Sequence, residues 1–167
     1  MLSFCGTDKC LLDGNGRLKF SPEVLADFGG PGMGVVMRCL PEGCIAVYPE
    51  TYFQKMRRGS GADSASLTAS SVLYRRQLRA LNASSSAVTI SPQGRITLPE
   101  DFRKHAGVDQ LPDVMVVGIE VGVEIWSLPR WKEEEALLNA HYAARDELEM
   151  KGDLESLGGN LEKEVMK

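Results

Sequence analysis

Asp13-Gly14-Asn15-Gly16-Arg17-Leu18-Lys19-Phe20 and Ser91-Pro92-Gln93-Gly94-Arg95-Ile96-Thr97-Leu98 lie 78 residues apart and describe the same local structure twice. Each opens on turn-forming residues, passes a glycine and an arginine, and continues as a short run alternating polar with apolar side chains. Turn chemistry running into a period-two strand predicts a hairpin. Leu11-Leu12 before the first turn and Ala87-Val88-Thr89-Ile90 before the second supply the preceding strands.

The offset of 78 persists well beyond the turns. It aligns Gly29 with Gly107, Val36 with Val114, Met37 with Met115, Ile45 with Val123, Val47 with Ile125, Tyr48 with Trp126 and Phe53 with Trp131. Order of apolar, turn and aromatic positions, kept at one spacing, predicts a supersecondary unit present twice. Within each unit Ser21-Pro22-Glu23 or Pro99-Glu100-Asp101 opens a short helix, which Gly29 or Gly107 stops. Two strands follow, 35–40 with 44–48 and 114–120 with 123–126, and further helices begin at Pro49-Glu50 and Pro129-Arg130. Tyr48, Phe53, Trp126 and Trp131 read as core anchors.

The expected fold class is therefore α+β, mainly β, with a first repeat over 1–58 and a second, with a C-terminal helix, over 87–150. Between them, 59–86 holds a Gly/Ser-rich linker (59–66), a helix (67–81) carrying Arg75, Arg76 and Arg79, and a polar hinge (82–86). The last segment, 151–167, reads as a flexible acidic tail.

The net charge of −4 conceals an asymmetry: residues 1–110 hold 13 Lys and Arg against 10 Asp and Glu, and residues 111–167 hold 6 against 13. A basic face can thus coexist with an acidic whole. No signal-peptide pattern and no long apolar stretch stand out, so a cytoplasmic protein without a membrane role is expected. Cys5, Cys10, Cys39 and Cys44 fall in two pairs with four residues between partners and no neighbouring His, which reads as small buried hydrophobes rather than a metal site. His105 and His141 receive no role. Walker, HExxH and GxSxG motifs do not occur, so no catalytic residue, cofactor, metal or small-molecule substrate is expected.

The chemistry concentrates at the turns. A two-stranded ribbon fits the major groove of B-DNA, where an arginine can take guanine O6 and N7 in a bidentate contact or clamp a phosphate. Arg17 and Arg95 are the first candidates, with Asn15, Lys19, Gln93 and Thr97 beside them. Gly16 and Gly94 let the backbone turn tightly, and Asp13 stands where it can orient the Arg17 guanidinium.

Asp13-Gly14-Asn15-Gly16-Arg17-Leu18 and Gln93-Gly94-Arg95-Ile96-Thr97-Leu98-Pro99-Glu100-Asp101-Phe102-Arg103 together resemble the twice-repeated DxxxR signature of the MraZ family. Blocks at 44–49, 123–127, Arg75-Arg76 and 115–118 sit where that family has matching stretches. The resemblance implies a pair of AbrB-like swapped-hairpin units of double-split βαβ type with flanking helices, assembled as a ring homo-oligomer. It also implies a nucleoid-associated transcriptional regulator that binds short direct repeats in double-stranded DNA upstream of the bacterial division and cell-wall gene cluster, with Arg17 and Arg95 as DNA contacts. This sequence departs from the pattern at Ser91, where an Asp is expected, and at Val24-Leu25, where the family has Phe-Arg. The alternative reading is a non-enzymatic protein-protein assembly module of the same fold.

Overall fold

Both turns reverse the chain, but the strands flanking each one find their main partners elsewhere. The computed structural model describes residues 2–58, 68, 70–110 and 112–165, with backbone alone over 159–165. The elements are β1 (Thr7–Leu11), β2 (Arg17–Lys19), α1 (Pro22–Phe28), β3 (Gly34–Cys39), β4 (Ile45–Pro49), α2 (Glu50–Arg58), α3 (Val72–Ala83), β5 (Ser85–Thr89), β6 (Arg95–Thr97), α4 (Glu100–Ala106), β7 (Asp113–Gly118), β8 (Val123–Ser127) and α5 (Leu128–Val165). The chain divides into two units, Met1–Leu128 and Pro129–Lys167.

The hairpins expected from 11–20 and 87–98 are closed only at their roots. Asp13 N donates to Arg17 O at 3.0 Å, Ser91 N donates to Arg95 O at 2.9 Å, and a single bridge joins Leu12 to Leu18. Beyond those bonds the halves exchange strands. In the six-stranded antiparallel sheet, ordered β1-β7-β8-β4-β3-β5, the first strand of each half pairs with the third strand of the other. A separate two-stranded ribbon joins β2 to β6. Local sequence sets turns, whereas strand partnership is decided by which edges can bury a common face.

The register is symmetric about two points. Exchanging the halves at an offset of 78 maps Ile45↔Ile125 onto Val47↔Val123 and Arg17↔Thr97 onto Lys19↔Arg95. The approximate two-fold passes through Ala46↔Glu124 and Leu18↔Ile96. The offset fails on the third strand. Val35 pairs with Pro49 as Val114 pairs with Ser127, so β3 and β7 correspond at 79, and the sequence alignment of Val36 with Val114 and Met37 with Met115 is wrong by one. The cause is one extra residue between α4 and β7, compensated by one fewer between β7 and β8. On a strand a one-residue slip changes the face. Accordingly Val35, Met37, Val114 and Val116 share one cluster, while Val36 belongs to the cluster on the opposite side.

One sheet face buries Ile45, Val47, Val123 and Ile125 together with Leu18 and Ile96 of the ribbon and Phe28 and Phe102 of α1 and α4. The other buries Val36, Ala46 and Tyr48 against Phe53, with Met56 of α2 and Leu81 of α3 at the margin. Tyr48, Phe53 and Trp126 are anchors as expected, and Trp131, in the second unit, is half-buried. Of the cysteines only Cys44 is buried; Cys10 and Cys39 are half-buried, and Cys5 is exposed because Phe4 beside it takes the place in the core.

Two helices differ from the expectation. Ser71 caps α3 through Oγ, which accepts from Tyr74 N at 3.1 Å, so the helix runs over 72–83 rather than 67–81; the linker at 59–66 lies outside the described residues. The polar hinge at 82–86 shrinks to Ser84. Asn82 Nδ2 donates to Leu78 O, and Ser84 Oγ and Ser85 Oγ donate to Ala80 O and Leu81 O, so the last carbonyls of α3 are met while β5 already begins. In place of a flexible tail after residue 150, α5 continues to Val165. Gly152, Gly158 and Gly159 cost about 1 kcal/mol each in a helix, and the Leu, Glu and Lys around them are strong enough formers to carry it through. Among the described residues, no helix is long and apolar enough to cross a membrane.

Candidate nucleic-acid interface

The β2·β6 ribbon sorts its six residues onto two faces. Leu18 and Ile96, directly opposed, are 0% and 1% exposed and point into the core. Alternation then sends Arg17, Lys19, Arg95 and Thr97 to the other face, where Arg17 stands opposite Thr97 and Lys19 opposite Arg95. Four predicted site residues, two from each half, thus meet on one surface. Like charges directly across a ribbon repel. The Lys19–Arg95 pair is a local cost that an anion between them removes.

The ribbon is extended at both ends, since Phe20 N donates to Gly94 O at 3.0 Å and Leu98 N to Gly16 O at 2.8 Å. These bonds fasten each turn to the opposite strand. Gly16 and Gly94 have φ of +73° and +76°, in the left-handed region that glycine enters without strain. Asn15 and Gln93 sit exposed at the turns.

The two turns are held differently. Asp13 Oδ1 accepts from Asn15 N and Arg17 N, both at 2.9 Å, and Oδ2 accepts from Arg17 Nε at 2.8 Å. The backbone N–H of Arg17, against an opposing effect of desolvation and with help from the Arg17 side chain and the N–H of Asn15, holds the Asp13 carboxyl below the usual carboxylate range. In the second turn Ser91 Oγ accepts from Arg95 N at 3.0 Å, which reproduces the backbone bond without the ion pair. Among the described residues no carboxylate pairs with Arg95.

One contact was not legible in the sequence. Arg103 of α4 lies against the first turn, where a Cβ added to Gly16 would stand 3.0 Å from its Cζ and Nε; Leu25 of α1 takes the equivalent place over Gly94. The offset of 78 pairs Arg103 with Leu25, so the signal was present, but only the exchange of strands between halves brings either residue to a turn. His105, without a sequence role, donates from Nε2 to Leu40 O at 2.7 Å and ties α4 to the β3–β4 connection.

A family model described as "MraZ protein, putative antitoxin-like" matches residues 82–151. Over nearly the whole chain, a protein of Nocardia farcinica named transcriptional regulator MraZ is 33% identical, covering 93% of this chain and 98% of its own. The chain belongs to the MraZ family. A second MraZ relative so named, from Mycobacterium ulcerans, is 32% identical over 90% of this chain and 99% of its own length. A third, from Nocardioides sp., is 31% identical over 87% and 95%. The MraZ relatives therefore match most of this chain along nearly their whole length.

Proposed function

We propose that the chain is a sequence-specific DNA-binding transcriptional regulator without catalytic activity, and that it meets duplex DNA with the outer face of the β2·β6 ribbon. The observation that carries this reading is the register: Arg17, Lys19 and Arg95, with Thr97, share one surface over a buried Leu18–Ile96 pair. A ribbon of this width enters the major groove, its arginines reaching guanine edges or phosphates, with Asn15 and Gln93 at the turn tips and Lys19 and Thr97 between them. Asp13, Gly16 and Gly94 support the turns. The names of the relatives, transcriptional regulators, give the process in which such a contact is used.

The exchange of first strands between 1–58 and 87–150 is what a pair of AbrB-like swapped-hairpin units does within one chain, and that is how the fold is read. Three cations release few counterions, so one chain alone binds weakly, with a salt slope of about −3. Several chains linked in a ring, each presenting its ribbon to one of a series of direct repeats, gain affinity through effective concentration. Repeats spaced by roughly 10 base pairs would keep successive sites on one side of the duplex. The target is the region upstream of the division and cell-wall gene cluster, which makes the protein cytoplasmic and nucleoid-associated. Replacing Arg17 by Ala leaves folding and assembly intact and removes the mobility shift of that region; a variant that shifts DNA as the parent does refutes the mechanism.

A further inference from the structure

Leu25 and Arg103 hold equivalent positions on α1 and α4, and each covers the turn glycine of the other half, Gly94 and Gly16 respectively. The approximate two-fold therefore exchanges an apolar cover for a cationic one. A guanidinium is a poor cover if covering is all it does. Arg103 Nε is buried and, among the described residues, meets no hydrogen-bond acceptor, and none of their carboxylates forms an ion pair with the group. Leucine in the same place leaves no donor unmet, and an unmet buried donor is costly.

Arg103 also lines a cleft of about 390 Å³ with Asp13, Gly14, Gly16, Asp109 and Gln110. Two carboxylates border this cleft, but neither occupies the guanidinium. Asp13 accepts from Arg17 and from two backbone N–H groups, and among the described residues Asp109 forms no ion pair with Arg103. The group remains available to an anion that presents two oxygens side by side, as a phosphate does, which the planar guanidinium fork suits.

We propose that Arg103 is a further nucleic-acid contact, taking a backbone phosphate beside the first turn, so that this end of the ribbon offers two guanidinium groups and the other end one guanidinium beside the Lys19 ammonium. The inference rests on the DNA-binding reading above. It also gives the ribbon a direction. A ribbon with equal ends matches the two-fold symmetry of a palindrome, whereas unequal ends fix which way each chain lies and suit repeats that all point the same way.

The test compares the parent with Arg103→Leu, Arg103→Lys and Leu25→Arg on a duplex of roughly 30 base pairs from the chain's own upstream region, across a salt series. Arg103→Leu copies the cover used at Gly94 and so keeps the turn packed, which a thermal melt checks; Arg103→Gln repeats the test if the leucine variant melts early. Loss of one phosphate contact makes binding roughly tenfold weaker near 0.1 M salt and the log–log salt slope shallower by about one. Arg103→Lys keeps the slope, and Leu25→Arg steepens it by about one. Unchanged affinity and slope in Arg103→Leu overturn the inference, as does weaker binding with an unchanged slope, which would leave Arg103 a prop for the turn. A parent protein that binds no duplex defeats the DNA reading itself, and that result is visible before any variant is compared.

Discussion

The first turn, 13–17, and the second, 91–95, have nearly the same backbone and quite different electrostatics. In both, a glycine near φ +75° precedes an arginine, and the residue four before that arginine accepts its backbone N–H. Asp13 goes further and clamps the Arg17 guanidinium, while Ser91 leaves that of Arg95 unclamped. Shape is thus held by backbone bonds that either an Asp or a Ser can make. Side-chain orientation needs the carboxylate. One end of the ribbon has its arginine side chain held by a carboxylate, and at the other end no carboxylate among the described residues pairs with the arginine.

The largest effects test whether the ribbon is symmetric below its surface. Leu18→Ala and Ile96→Ala each remove a fully buried side chain at the two-fold centre, and each should lower stability by about 2–5 kcal/mol, by similar amounts, in denaturant unfolding. Strongly unequal losses would show that the two strands are not equivalent supports. Next in size are Gly16→Ala and Gly94→Ala, which place a Cβ in the left-handed region against Arg103 or Leu25 and should cost about 1–2 kcal/mol each. A variant as stable as the parent would mean that the turn has relaxed to another geometry.

Smaller effects probe the surface. Asp13→Ser makes the first turn like the second and should weaken duplex binding roughly two- to tenfold, the cost of ordering one long side chain on binding. Ser91→Asp should order Arg95, visible as a narrower rotamer distribution of its Nε signal by NMR. The smallest effect is one of pH. Because the Asp13 carboxyl titrates below its ordinary value in the folded chain, its stabilising contribution is present above the unfolded value and is lost as pH falls through the folded one. The stability difference between the parent and Asp13→Ser should therefore be constant from neutral pH down to the ordinary Asp range and vanish in stronger acid. A difference that instead grows on acidification assigns the stabilisation to another group.

Much of this asymmetry was legible in the residues. Asp13 and Ser91 are short-range partners of Arg17 and Arg95, and a spacing of four residues across a turn is enough to predict contact. Except on the third strand, strand boundaries follow the offset of 78, because turn residues and helix stops punctuate the chain locally. What local pattern does not encode is partnership at long range. Nothing near Thr7 specifies that β1 pairs with β7, and the slip from 78 to 79 on the third strand hides in two compensating loop lengths. Arg103 belongs to the second motif, yet its place against the first turn depends on that exchange. Gly158-Gly159 and the many charges after residue 150 point to a tail, yet α5 continues to Val165, because Leu, Glu and Lys favour the helix by more than the glycines cost.

The crossing of β1 to β7 has a consequence for biosynthesis. Thr7 faces Val117, so the first strand made must wait for some 110 further residues to leave the ribosome before its main partner exists. At about 5–20 residues per second, that delay is on the order of ten seconds, during which an open strand edge is a target for nascent neighbours and chaperones.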